Sequence, residues 1–142
     1  MSDSSKKPIV VTNGCFDILH IGHIKLIQYA AKLGDLIILI NDDESIRVLK
    51  GEHKPYIPVK DRVEILMAIK GVKSVLPFSS QSELYRLYEW LTPDFIVIGD
   101  EYKGKPVVGI EFAKKVIYFP KIRGCSSSLI AERIKNENRS II

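Results

Sequence analysis

The stretch that decides the fold reads GCFDILHIGH, residues 14–23, and it directly follows an apolar run that begins at Ile9. An apolar run, a glycine and then helical periodicity are typical of a strand that leads into a helix. The first N–H groups of a helix lack partners and carry partial positive charge, so anions bind there. His20 and His23 would add two imidazole donors to those groups. The stretch therefore predicts a polyphosphate site, and a nucleotide is the ligand that we expect.

Apolar, strand-like runs alternate with helical periodicity along the rest of the chain. A long polar loop is expected after the second strand. Because parallel connections cross over right-handed, this order predicts a single-domain, Rossmann-like α/β fold with a doubly wound parallel sheet of about five strands. Ligands then bind outside the carboxyl ends of the strands. The predicted strands cover residues 9–12, 36–40, 72–76, 95–98 and 116–119, and the predicted helices cover residues 22–33, a segment opened by Pro58, residues 82–91 and residues 127–135.

The composition is that of a soluble globular chain: 142 residues, of which 46% are hydrophobic and 27% charged. We expect one domain over residues 1–142, with loosely ordered tails at residues 1–7 and 136–142. No apolar run is long enough to cross a bilayer and the polar start is unlike a signal segment, so we expect a cytoplasmic protein without membrane contact. Cys15 and Cys125, the only cysteines, are interpreted as small reduced residues.

Charge and motif tests narrow the class of ligand. The formal net charge of +4 comes from basic residues that are spread along the chain and not interleaved with aromatics, so a small anionic substrate explains it and no nucleic acid is expected. No G-x-G-x-x-G follows the first strand. Residues 99–106 imitate a P-loop but end in Pro106 where a hydroxyl residue should hold magnesium. The three histidines and two cysteines make no zinc set, and no protein metal site is expected.

Two motifs in a fixed order carry a family resemblance. Residues 14–23, with RGCSSS at residues 123–128, resemble the H-x-G-H and late G-x-S-T-T-like signatures of the cytidylyltransferase-like nucleotidyltransferases. The resemblance extends over residues 10–134. The sequence departs from the family pattern at two places. Serines replace the threonines of the late motif, and Lys121 stands where cytidylyltransferases carry an arginine.

Two branches of that family compete. Residues 41–51, followed by Pro58 and Arg62, look like the adenylyltransferase part of ADP-heptose synthases. Residues 99–105 and 118–120 look more like glycerol-3-phosphate cytidylyltransferase. The first match is longer, so we favour ATP over CTP.

The resemblance implies a reaction in which an NTP and a phosphorylated sugar or polyol give an NDP-linked product and pyrophosphate. It also implies Mg²⁺ as the cofactor that accompanies the NTP, and a homodimer. A non-catalytic nucleotide sensor is the alternative from another class.

Three residues are the predicted catalytic groups. His20 and His23 would donate to the triphosphate, whose charge favours their protonated form. Lys50 would reach the phosphates or the acceptor, although a solvated lysine explains this position equally well. The predicted nucleotide-binding residues are Gly14, Phe16, Asp17, Gly22, Asp100, Lys121, Gly124, Ser126 and Ser127.

Several of these residues have a more specific predicted role. Asp17 would orient a histidine ring or assist a metal, and Asp100 would read the exocyclic amine of adenine or cytosine. Ser126 and Ser127 would offer hydroxyl and N–H groups to phosphate, with helix capping as the competing explanation. Arg62 and Arg123 would bind the substrate phosphate; for Arg62 the alternative is a surface ion pair with Asp61 or Glu64.

Overall fold

The computed structural model of the chain describes residues 6–122, 124 and 126–140, with side chains up to residue 137. Five parallel strands form one sheet in the order β3-β2-β1-β4-β5, so the predicted doubly wound α/β fold is confirmed. The chain moves outward from β1 in one direction and then in the other, which makes the gap between β1 and β4 the topological switch point. The strands are β1 (Ile9–Gly14), β2 (Asp35–Asn41), β3 (Val72–Phe78), β4 (Phe95–Gly99) and β5 (Lys115–Phe119).

Five helices lie between and after these strands. Each begins at a position with good capping chemistry or, for α3, with a proline before its first residue. The helices are α1 (Ile21–Leu33), α2 (Asp43–Lys50), α3 (Val59–Met67), α4 (Gln81–Leu91) and α5 (Ser127–Ser140), and two short 3₁₀ turns cover Asp100–Tyr102 and Ile110–Phe112.

The sheet is covered on both faces, which explains why β2 is apolar at almost every position. On one face Val10 and Ile38 pack with Ile27 of α1 and Leu66 of α3. On the other face lies a second cluster built around α4. Its buried members are Val11, Leu39, Phe78, Leu84, Tyr88, Leu91, Ile96 and Ile98.

Two expectations about local structure are wrong. Residues after β2 form the helix α2 and not a polar loop, because Asp42 caps the N–H of Ser45 and the acidic first turn and basic last turn both suit the helix dipole. The helix α5 extends to Ser140, past residue 136 where a loose tail was expected. Among the described residues, no helix has both the length and the apolar character needed to cross a membrane.

Candidate active site

A cleft of about 720 Å³ opens along the carboxyl edge of the sheet, at the switch point between β1 and β4. Its size is within the range of small-molecule sites. The ends of β1, β4 and β5 form its floor, and the first turns of α1 and α5 contribute to its walls. Ten of the predicted site residues line it: Gly14, Phe16, Asp17, His20, Gly22, His23, Lys50, Lys121, Ser126 and Ser127.

The two histidines begin α1 and cap each other's backbone. His20 is the N-cap residue, and its Nδ1 accepts a hydrogen bond of 3.0 Å from the N–H of Gly22. Nδ1 of His23 accepts from the N–H of His20 at 3.3 Å, which completes a capping box with imidazoles in both roles. The rings stack with their centroids 3.9 Å apart. Phe16, whose backbone adopts the left-handed φ of 49°, packs its ring 5.2 Å from that of His23.

This arrangement decides the protonation state of both rings. A nitrogen that accepts a hydrogen bond carries no proton, so the proton of each neutral imidazole lies on Nε2. Burial lowers the pKa of His23 to about 4, with the nearby charges of His20 and Lys50 adding to the effect, and burial also lowers the pKa of His20. Near neutral pH the free protein therefore holds neutral rings, while the protonated form predicted for rings beside a triphosphate stays a prediction. Each ring still presents one Nε2–H donor, because its Nδ1 is occupied.

Lys50 is the last residue of α2 and lines the same cleft as the histidines. Its charge acts on two neighbours: it contributes to the lowered pKa of His23, and it opposes the effect of burial, which raises the pKa of the Cys15 thiol. The thiol of Cys15 also donates to Oδ1 of Asn41, at the end of β2, with 3.6 Å between Sγ and Oδ1. Cys15 is therefore a cleft residue, while Lys50 brings a cation to the wall beside the histidines.

Arg62 lies beneath the cleft and not in it. Its side chain is fully buried, and its guanidinium donates to the carbonyl oxygens of Ile57, Cys15 and Asn41 and to Oδ1 of Asp43, at 2.7–2.8 Å. The prediction that Arg62 binds a substrate phosphate is wrong for this arrangement, because the side chain is buried outside the cleft lining and four of its five N–H donors bond within the protein. The alternative of a surface ion pair is wrong as well, since the partner is Asp43 and the site is buried.

Asp17 holds a loop and does not orient a ring. Its two carboxylate oxygens accept hydrogen bonds of 2.8 Å from the N–H groups of Tyr56 and Ile57. The carboxylate therefore fixes the segment between α2 and α3 against the β1–α1 connection. Asp17 also lines the cleft, but its oxygens are turned to this backbone.

The start of α5 brings the late serine motif to the cleft. Oγ of Ser126 accepts from the N–H of Leu129 and so caps the helix, while the hydroxyl of Ser127 donates to the carbonyl of Ile18. The second contact ties α5 to the loop that precedes the histidines. Capping and cleft lining thus occur together, and this turn lines the same space as the first turn of α1.

Besides Arg62, two predicted residues among those that the structure describes are not brought into the cleft. Asp100 is exposed and accepts from the backbone N–H of Lys121 at 3.2 Å, so its predicted role in reading the base is not supported by its position. The 3₁₀ turn that contains it presents Glu101 instead, whose carboxylate folds close over Gly99, at a place where a Cβ would clash. Gly124 is exposed outside the cleft lining. Arg123 lies outside the described residues.

Sequence reasoning missed several polar residues of the cleft. Asn13 lies next to the end of β1 and Asn41 at the end of β2, and Glu101 and Tyr102 belong to the 3₁₀ turn that follows β4. The available signal was their position, since polar residues just after buried parallel strands converge at one edge of a sheet. No group of three or more His, Cys, Asp or Glu side chains in the described part of the chain is arranged to hold a metal ion.

Fold and site together define a class: an α/β protein with a cleft at the switch point, lined by two imidazoles, a lysine and two helix starts. Such groups are suited to anions. Residues 11–133 match the family described as cytidylyltransferase-like. The chain belongs to this family and is a nucleotidyltransferase, as the two sequence motifs predicted.

Curated relatives extend the comparison. The chain is 43% identical over 131 residues to the bifunctional protein HldE of a Nitratiruptor species, a match that covers 92% of this chain and 28% of the relative. It is 40% identical over 134 residues to the bifunctional protein HldE of Sulfurimonas denitrificans, with 94% and 28% covered. The chain thus spans less than a third of the length of these relatives.

Solved structures support the fold alone. A lipopolysaccharide core biosynthesis protein from Thermoplasma volcanium superposes with a TM-score of 0.63 at 24% identity, covering 81% of this chain and 98% of that one. A pantothenate synthetase from Thermus thermophilus has a TM-score of 0.59 at 12% identity, with 83% and 57% covered.

Proposed function

We propose that this nucleotidyltransferase transfers AMP from ATP to a phosphorylated sugar such as heptose 1-phosphate and releases pyrophosphate. The support for this substrate pair is the similarity to HldE proteins over nearly the whole chain, together with the resemblance of residues 41–51 to ADP-heptose synthases. Among the residues of that segment, Asn41 and Lys50 line the cleft and Asp43 is the partner of Arg62.

The proposed chemistry is an in-line substitution at the α-phosphorus. An oxygen of the acceptor's phosphate forms a bond to the α-phosphorus, and the bond from that phosphorus to the bridging oxygen of the β-phosphate breaks, so pyrophosphate leaves. The attacking oxygen is already anionic near neutral pH, so no general base is needed. The barrier lies in bringing anions together and in stabilising the charge that develops on the leaving group.

The site residues fit that requirement. The Nε2–H groups of His20 and His23 would donate to the triphosphate from fixed rings, because each ring is held through its Nδ1. Lys50 would add a positive charge on the same wall, and the first N–H groups of α1 and α5 would add further donors. The observation that carries the proposal is this pair of imidazoles, which line the cleft and are held through Nδ1, so that Nε2–H is left as the donor of each ring.

Mg²⁺ enters this proposal as part of the Mg–NTP substrate. The described part of the chain offers no cluster of three metal-ligating side chains, and the oxygens of Asp17 are turned to backbone N–H groups. Triphosphate oxygens would therefore supply most of the ligands, as is common for magnesium. The metal offsets the charge of the triphosphate when bound.

Pyrophosphate release tests the proposal. The protein is incubated with Mg²⁺, each of the four NTPs in turn, and a panel containing heptose 1-phosphate, mannose 1-phosphate and glycerol 3-phosphate. We expect ATP with a sugar 1-phosphate to give the fastest release and an ADP-sugar as product. Faster release from CTP with glycerol 3-phosphate would instead assign the polyol branch. ATP binding without release in any pairing would contradict catalysis and indicate a sensor.

The homodimer is a second part of the proposal and rests on the family resemblance. Light scattering after size exclusion measures the molar mass in solution directly. A mass near twice 16.1 kDa is the expected result, and a mass near that of one chain would contradict it.

A further inference from the structure

A buried tyrosine fixes an amide in the cleft. Tyr88 of α4 is fully buried, and its hydroxyl donates a hydrogen bond of 2.7 Å to Oδ1 of Asn13, near the end of β1. Burial raises the pKa of Tyr88, so the hydroxyl remains a donor. Because Oδ1 is engaged, the orientation of the Asn13 amide is fixed. Among the described residues nothing accepts from its Nδ2, and Asn13 lines the cleft, so Nδ2–H is available to a ligand.

Asn13 faces the side of the sheet opposite to the histidines. Side chains alternate along a strand, and Val10 packs with the α1 cluster whereas Val11 packs with the α4 cluster. Asn13 shares the face of Val11, as its contact with Tyr88 also shows. We call the part of the cleft on this face the α4-side half, formed by Asn13, Phe78, Gln81, Leu84, Val107 and Val108.

The chemistry of the α4-side half differs from that of the histidine side. It offers the amides of Asn13 and Gln81 and otherwise apolar surface, with no cation among its residues. A phosphate group would lose its hydration there without gaining a charged partner. Hydroxyl groups, in contrast, are well matched by amide donors and acceptors. The triphosphate and the attacking phosphate therefore belong beside His20, His23 and Lys50, and the remaining half suits an uncharged, hydroxylated group.

We propose that the α4-side half holds the sugar part of the acceptor and that Asn13 Nδ2 donates a hydrogen bond to one of its hydroxyl oxygens. Tyr88 is a positioning residue that keeps the amide in this orientation. The inference rests on the proposed function, because it assumes a phosphorylated sugar as the acceptor. It adds a specificity-determining contact to that function.

The test replaces the amide and the acceptor hydroxyls in turn. Asn13→Leu should raise the KM for the sugar 1-phosphate about tenfold, the scale of one hydrogen bond, while the KM for ATP stays within about twofold. For one acceptor that lacks a single hydroxyl, the KM should be about tenfold higher than for the intact acceptor when the wild-type protein is assayed. With Asn13→Leu the same acceptor should show no further rise in KM. If every deoxy acceptor raised the KM of the variant as much as that of the wild type, the contact would be overturned. An Asn13→Leu protein in which only the KM for ATP rises would overturn it as well.

Tyr88→Phe keeps the ring and removes only the hydroxyl, so it remains informative if Asn13→Leu folds poorly. We expect Tyr88→Phe to raise the acceptor KM by about threefold, which is less than Asn13→Leu. Combining the two substitutions should raise the KM no further than Asn13→Leu alone. Tyr85→Phe is the matched control, because Tyr85 lies on the same helix but is partly exposed and outside the cleft lining. Equal kinetics for Tyr88→Phe and Tyr85→Phe would remove Tyr88 from the inference.

A binding measurement separates this inference from the proposed function. Calorimetry with mannose 1-phosphate, Mg²⁺ and α,β-methylene-ATP needs no turnover. If the wild type releases no pyrophosphate from any substrate pair, the proposed function fails. A roughly tenfold weaker affinity of Asn13→Leu for mannose 1-phosphate would still support the contact. Unchanged affinity, or no affinity in the wild type, would overturn it.

Discussion

The guanidinium of Arg62 and the carboxylate of Asp43 are joined by a hydrogen bond of 2.8 Å, and the same Oδ1 of Asp43 accepts from the N–H of Val59. One buried cation thus connects the starts of α2 and α3. Its other donors reach the carbonyls of Cys15 and Asn41, which line the cleft. Arg62 therefore connects the helix that carries Lys50 to the backbone of two cleft residues.

We predict that Arg62→Met lowers the free energy of unfolding by about 3 kcal/mol or more, because it leaves three carbonyl groups and a carboxylate without their partner. Urea unfolding at neutral pH measures this loss. Arg47→Met is the matched control, since its ion pair with Glu44 is exposed, and its unfolding midpoint should equal that of the wild type. Equal midpoints for all three proteins would contradict the role of Arg62.

The histidine pair gives a prediction about rate. His23→Ala should lower kcat about a hundred- to a thousandfold, the scale for losing one donor to the transition state. His20→Asn should also lower kcat but leave the fold unchanged, since asparagine is a good N-cap residue. His53→Ala is the control, because this histidine is exposed and outside the cleft lining. A folded His23→Ala protein with near wild-type kcat would exclude the ring from catalysis.

Stability should depend on pH through His23. Its pKa of about 4 in the folded protein is below the ordinary value of 6.5, so between these values the unfolded chain binds more protons. Stability is therefore lost as the pH falls from about 6.5 towards 4, by at most about 1.4 kcal/mol per pH unit from this group. Between pH 7 and pH 5, the urea midpoint of unfolding should fall further for the wild type than for His23→Asn. Parallel pH dependence in the two proteins would contradict the burial effect.

The loop between α2 and α3 should loosen without the Asp17 carboxylate. In Asp17→Ala the N–H groups of Tyr56 and Ile57 lose their acceptors, which we expect to cost about 1–3 kcal/mol and to speed hydrogen exchange at these two amides. Exchange followed by NMR gives the result residue by residue. Glu52→Gln, an exposed change in the same loop, should leave both exchange rates as they are. Unchanged exchange in Asp17→Ala would show that other contacts hold the loop.

Local pattern explains what could be predicted of the fold. The strands β1, β2 and β4 were recognisable because they are buried on both faces and so consist of short apolar runs. The helix α2 was missed because its residues are mostly polar and its mean hydropathy is low, although its caps and charge order were present in the sequence. Capping signals were the better guide there than apolar periodicity.

The sequence by itself determined the alternation of strands and helices and the position of His20 and His23 at the start of a helix, since these follow from residues close together in the chain. Only the tertiary structure decided that Arg62 is buried beneath the cleft and that Tyr88 holds Asn13, 75 residues away. Such contacts depend on how strands and helices pack against one another. A single sequence therefore predicted which residues could bind anions, while packing selected those that line the cleft.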